Sequence, residues 1–138
     1  NPDVLARCST FQTYVSLAAP DEPTYRKVCR PLSDTWEQVG ESLNLLGSRR
    51  SAVRITLVAG LNDLAPERYA ALLQESGATF VEVKGYMYLG YSRNRLQRNN
   101  MPEHDAVRAF AEKIAAACDY RVRDENRLSR VVCLEREG

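Results

Sequence analysis

The stretch "FVEVKGYMYLGYSRNRL", Phe80–Leu96, begins as a strand and ends as a loop rich in tyrosine, glycine and arginine. In its first half Val81 and Val83 alternate with Glu82 and Lys84. A strand of that pattern sends apolar side chains to one face of a sheet and a charged pair to the other. Upstream, "AVRITLVAG", 52–60, reads as a second strand carrying Arg54 and Thr56, and "FQTYVSLAA", 11–19, as the first, ended by Pro20.

Longer helical patterns separate these strands. "SDTWEQVGESLNLLG" places Trp36, Val39, Leu43 and Leu46 at helical spacing, with Ser33 or Asp34 as N-cap and Gly47 as the stop. "LAPERYAALLQESG", 64–77, has Pro66 in its first turn and Gly77 at its end. "MPEHDAVRAFAEKIAAAC" predicts a last helix over 102–118 with Val107, Phe110, Ala111 and Ile114 turned inward. "YRVRDENRLSRVVCLE" reads as a strand, a polar turn and a closing strand, antiparallel at the sheet edge. The alternation predicts an α/β fold of about three parallel βα units, half of a barrel or a small open sheet. Parallel sheets normally have both faces covered and their edges managed, so the chain is expected to belong to something longer. Separated from it, an exposed edge would promote self-association.

At 138 residues, 44% hydrophobic and 27% charged, the whole of 1–138 is expected to form a single domain. With 19 basic and 18 acidic residues the net charge is +1, so overall charge selects no partner. Its distribution is more informative. No acid lies between Glu82 and Glu103, whereas Lys84, Arg93, Arg95 and Arg98 do, interleaved with Tyr86, Tyr88 and Tyr91. That mixture suits phosphate contact and base stacking; a solvated basic loop is the plainer alternative.

Cys8, Cys29, Cys118 and Cys133 are too scattered for a zinc or iron–sulfur motif, so no metal site is expected from this chain. Cys118 and Cys133 read as buried thiols of a reducing, cytoplasmic protein. No apolar run is long enough to span a membrane. His104, the single histidine, falls in the first turn of the last helix, where a surface or capping role is the default. Neither a Ser/His/Asp array nor a GxxxxGK loop is present, which argues against hydrolase and nucleotidase chemistry.

In parallel sheets ligands collect at the carboxyl ends of the strands. Those ends offer Ser16, then Arg54, Thr56 and Asn62, then Glu82 and Lys84. If Glu82, Lys84 and Arg54 share an interior, they form either an ion-pair network or a polar substrate cavity.

Taken in order and spacing, "NPDVL", "YVSLAAPDEPTYRKVCRPL", "RITLVAGLN", "FVEVKGYMYLGYSRNRL", "NMPEHDAVRAFAEKIA" and "YRVRDENRLSRVVCL" resemble the C-terminal half of the tRNA 4-demethylwyosine synthases, in an archaeal-like version. The resemblance implies the second half of a partial (β/α)6 radical-SAM barrel, with a C-terminal helix, short edge strands and a wyosine-specific segment from about 78 onward. It implies an enzyme of the carbon–carbon lyase class that joins pyruvate-derived carbons to N1-methylguanosine-37 of tRNA-Phe, with S-adenosylmethionine and a 4Fe-4S cluster as cofactors. The cluster's CxxxCxxC loop is absent here, so this chain alone is expected to be inactive and to need the N-terminal half of the barrel.

By the same resemblance Ser16 would meet the cofactor, and Arg54 and Asn62 the cofactor carboxylate or the substrate. Ala18 stands where many relatives have aspartate. Lys84 would meet pyruvate, through its carboxylate or as a Schiff base, unless it pairs with Glu82; Lys27 is the rival amine. Glu82, Tyr86, Arg93, Arg95 and Arg98 would contact substrate, the arginines gripping the tRNA anticodon stem-loop. A non-catalytic RNA-binding α/β module is the alternative reading.

Overall fold

The computed structural model describes residues 2–7, 12–33 and 35–138. Cys8, Phe11 (the expected start of the first strand) and Asp34 (one of two expected N-caps) lie outside the described residues. A short helix α1 (Pro2–Ala6) precedes strand β1 (Thr13–Ser16), helices α2 (Glu22–Cys29) and α3 (Trp36–Asn44), strand β2 (Ser51–Leu57) and helix α4 (Pro66–Ser76). Strand β3 (Phe80–Gly85), helix α5 (His104–Ala116) and strands β4 (Tyr120–Asn126) and β5 (Val131–Arg136) follow. Short 3-10 turns cover Leu46–Ser48, Gly90–Asn94 and Arg98–Asn100.

The strands form one five-stranded sheet in the order β1-β2-β3-β5-β4. β1, β2 and β3 are parallel, and β5 and β4 close the sheet antiparallel, as the alternation and the final hairpin pattern predict. Val53, Ile55 and Leu57 of β2, Val81 and Val83 of β3, and Val132 and Leu134 of β5 are fully buried. They share one core with Leu43 of α3, Tyr69, Ala70 and Leu73 of α4, and Val107, Phe110, Ala111 and Ile114 of α5. Tyr69 and Phe110 meet edge to face at 5.7 Å and tie α4 to α5.

Two glycines are required by geometry. Gly77 ends α4 at φ +62, donates to the Leu73 carbonyl, and approaches the Cα of Gly47 so closely that a Cβ would lie 3.2 Å from it. Gly85 ends β3 under α5, where a Cβ would meet Val107 Cγ2 at 3.2 Å.

Several sequence expectations need correction. β1 is shorter than 11–19, yet Leu17 and Ala19 are fully buried. The apolar run reaches the core as loop, held by Leu17 N donating to the Arg54 carbonyl. Thr35 caps α3, not Ser33, and without a side-chain capping bond, because its hydroxyl meets that of Tyr25. Cys118 and Cys133 are half-buried, not buried. His104 is not a surface residue: it is 4% exposed.

α2 was not expected at all. Its start carries a clear device: Asp21 accepts from Thr24 N at 2.9 Å, and Pro23 sits in the first turn.

Candidate functional site: the open sheet face and the arginine-tyrosine loop

Side chains at matched register positions point the same way, so the sheet face away from the helices can be read as rows. One row runs Ser16, Arg54, Glu82 and Cys133; the next, nearer the carboxyl ends of the parallel strands, runs Thr56, Lys84 and Val131. Ser16, Arg54 and Thr56 are exposed, and Glu82 and Lys84 half-buried. The expected alternation therefore holds: valines pack under helices while the charged pair stands on the opposite face.

Arg54 donates from Nε (2.9 Å) and Nη2 (2.7 Å) to Oε2 of Glu82 and lies 5.3 Å from the Tyr14 ring centre. The pair is partly solvated, with 47% and 25% side-chain exposure, so it is worth about 1 kcal/mol or less. What it does is orient. Glu82 is committed to Arg54, and the Lys84 side chain has no hydrogen bond or ion pair among the described residues. The ion-pair alternative for Lys84 is thus not the observed arrangement. Lys27 lies exposed on α2, off the sheet face.

Asn62 sits where the strand-end loops converge and is 0% exposed. Its Nδ2 donates to the carbonyls of Ala18 (3.0 Å) and Thr56 (2.8 Å), and its Oδ1 accepts from Val58 N (2.7 Å). Tyr69 donates to the Asn62 carbonyl, and burial pushes its phenol far up. Asn62 thereby joins the exits of β1 and β2 into one platform.

Beyond β3 the basic segment folds back on itself. Tyr86 is 7% exposed; its hydroxyl donates to Ser92 Oγ at 2.7 Å, and Ser92 in turn donates to the Leu89 carbonyl. Arg93 and Arg98 both face the Tyr88 ring, at 5.3 and 5.8 Å. Arg95 donates to the Val28 carbonyl of α2 at 2.9 Å. None of the three arginines has an acidic partner among the described residues. The sequence pattern marks these residues, but nothing local in it shows that Tyr86 is internal.

Two other regions were not anticipated. A cavity of about 420 Å³ opens on the helical side, lined by residues including Leu57, Asp63, Phe110 and Lys113, away from the charged rows. His104, at the start of α5, has Nε2 2.7 Å from Oε2 of Glu125 on β4, while Arg108 donates to the other carboxylate oxygen. The His104 bond first, and Arg108 with it, hold the Glu125 carboxyl below its ordinary 4.5. A carboxyl depressed in the fold stabilises it above the unfolded value and loses that contribution as pH falls through the folded one. Acid unfolding followed by circular dichroism should therefore show this loss below about pH 4.5. Glu125→Gln should be less stable at neutral pH and should flatten that part of the acid limb.

Among the described residues no group of three His, Cys, Asp or Glu could hold a metal ion, and no helix is long and apolar enough to cross a membrane.

A mixed α/β sheet, with three parallel strands bearing polar residues toward their carboxyl ends and an arginine-tyrosine loop beyond the third, is the fold class to which the comparisons apply. Residues 75–136 match the family model described as Wyosine base formation. Over nearly its whole length the chain is similar to a C-terminal fragment of the tRNA 4-demethylwyosine synthases. It is 45% identical over 130 residues to the S-adenosyl-L-methionine-dependent tRNA 4-demethylwyosine synthase of Pyrococcus abyssi, covering 91% of this chain and 38% of the relative. The enzyme of the same name from Methanocaldococcus jannaschii is 32% identical over 137 residues, covering 99% and 44%. Among solved structures, that of TYW1 with a lysine-pyruvate adduct bound superposes with a TM-score of 0.89 at 29% identity, covering 98% of this chain and 44% of that one. The chain thus spans less than half the length of these relatives.

Proposed function

We propose that this chain is the second half of a partial (β/α)6 radical S-adenosylmethionine barrel in a tRNA 4-demethylwyosine synthase. Its uncovered sheet face is one wall of the chamber in which pyruvate-derived carbons are joined to N1-methylguanosine-37 of tRNA-Phe. The observation that carries the reading is Lys84, an ammonium without an acid on the polar face near the strand ends. A half-buried cation left unpaired while its natural partner, Glu82, is held by Arg54 is suited to an anionic ligand.

The similar TYW1 structure holds a lysine-pyruvate adduct, so pyruvate chemistry at a lysine is the expectation for the whole enzyme. To Lys84 we assign the ionic contact with the pyruvate carboxylate. An imine between Lys84 and the keto carbon is the competing reading, and the two separate experimentally, since only the imine can be trapped by borohydride. Lys27, exposed on α2, receives no role.

Ser16 and Arg54, neighbours on one row, fit the polar end of S-adenosylmethionine as hydroxyl and guanidinium. Bound together with a 4Fe-4S cluster, that cofactor supplies the radical for the reaction. The described cysteines do not converge and fit no cluster, so the chain by itself is expected to be inactive in the radical step. Asn62 and Tyr86 act as positioning residues, fixing the strand exits and the following loop.

Arg93, Arg95 and Arg98 take the phosphates of the anticodon stem-loop. In the protein at its natural full length, Arg93→Ala/Arg95→Ala should bind an N1-methylguanosine stem-loop roughly tenfold more weakly at low salt. The log–log salt slope should shrink by about 1.4, two phosphates at ~0.7 each. Fluorescence anisotropy at several salt concentrations reads both, and unchanged binding would remove the tRNA from this segment.

A further inference from the structure

Two tyrosines of the loop are spoken for. Tyr86 is buried with its hydroxyl on Ser92, and the Tyr88 ring is faced by Arg93 and Arg98. The third, Tyr91, is 92% exposed, and its side chain has no ring contact and no hydrogen bond among the described residues. Leu89 beside it is 67% exposed.

An aromatic ring left in water on a mobile loop would mean little, but this turn is fixed from several sides. Gly90 adopts φ +59, and Leu96 N and Arg95 N both donate to the Ser92 carbonyl, at 2.8 and 3.0 Å. Ser92 is tied to Tyr86, and Arg95 to α2. The ring is therefore held out on a braced turn that also carries two cations lacking acids among the described residues, Arg93 and Arg95. A rigid aromatic face beside phosphate-binding charges is the arrangement that stacks an unpaired base.

We propose that Tyr91 is a stacking platform for an unpaired base of the RNA anticodon loop. Tyr88 has a different task, aligning the Arg93 and Arg98 guanidiniums toward the backbone. The proposal rests on the reading that this loop grips tRNA. It adds a division of labour: charge for the phosphates, one bare ring for a base. A π-face tolerates any base, so Tyr91 contributes affinity and placement, and sequence selectivity lies elsewhere.

The test uses the full-length protein and anticodon stem-loops carrying 2-aminopurine at single loop positions. Tyr91→Ala should weaken binding roughly tenfold, within the range of one stacked base, while leaving the salt slope unchanged because no phosphate contact is lost. Tyr91→Phe should bind within about twofold of wild type, since the ring and not the hydroxyl stacks. One 2-aminopurine position should be quenched on binding to wild type and to Tyr91→Phe, but not to Tyr91→Ala. Wild-type affinity in Tyr91→Ala alongside a loss in Arg93→Ala/Arg95→Ala would overturn the platform and leave the arginine grip standing. No loss in the arginine variant would overturn the grip, and the platform with it. A Tyr91 ring protected from iodination in the RNA-free full-length protein would mean that protein covers it, which also overturns the proposal.

Discussion

Asn62→Ala should lower the unfolding free energy by about 3–5 kcal/mol, enough to unfold many domains of this size. Three backbone groups depend on that one side chain: the buried amide of Val58 and the part-buried carbonyls of Ala18 and Thr56. Each buried group left without a partner costs about 1–3 kcal/mol. Asn62→Asp separates the contributions. It keeps an acceptor for Val58 N but removes both donated hydrogens and sets a carboxylate against two carbonyls, so it should be no better than alanine. Urea unfolding followed by circular dichroism measures both, and a loss under 1 kcal/mol in either variant would contradict the platform role.

Lys84→Met in the full-length enzyme should reduce kcat/KM for pyruvate by about 10²-fold, the loss of roughly 2–3 kcal/mol from a charge-assisted contact. If the ammonium binds the pyruvate carboxylate equally in ground and transition states, the effect appears as a raised KM with kcat largely kept. Lys84→Arg, which retains the charge, should then recover part of the activity. An imine-forming lysine would behave otherwise: arginine could not replace it, kcat would vanish, and borohydride reduction in the presence of pyruvate would fail to label Lys84→Met. Unaltered kinetics in Lys84→Met would remove Lys84 from the chamber. Stem-loop affinity should be unchanged, since the arginines proposed to grip RNA lie beyond β3.

The elements legible in the sequence are those whose periodicity is set by one buried face. Val81 and Val83 against Glu82 and Lys84 gave away β3 and its polar side, and Val107, Phe110, Ala111 and Ile114 gave away α5. α2 escaped because it buries only Thr24; a helix held by its Asp21 cap and its neighbours has little apolar stripe to read. Leu17 and Ala19 misled the other way, since burial in a loop looks like burial in a strand. Within the site, the residue types were visible but their pairing was not. That Glu82 belongs to Arg54 follows from the register of β2 on β3, which only the folded sheet supplies. Asn62 was noticed as a strand-end polar residue, yet nothing local distinguishes a ligand-facing amide from one whose hydrogens all point inward.

The two ends of the sheet are unlike in a way that bears on assembly. β4, at one end, carries Arg121, Arg123, Asp124 and Glu125 and has a register shift between Val122 and Asp124, features that discourage another strand from joining there. β1, at the other end, reads Thr-Tyr-Val-Ser, without a charge. The sheet thus has a direction of growth: its antiparallel hairpin is a terminus, and only β1 presents a neutral, parallel template to a further strand. In the barrel proposed above, a further strand would therefore add at β1, and the register there would set how the two halves meet.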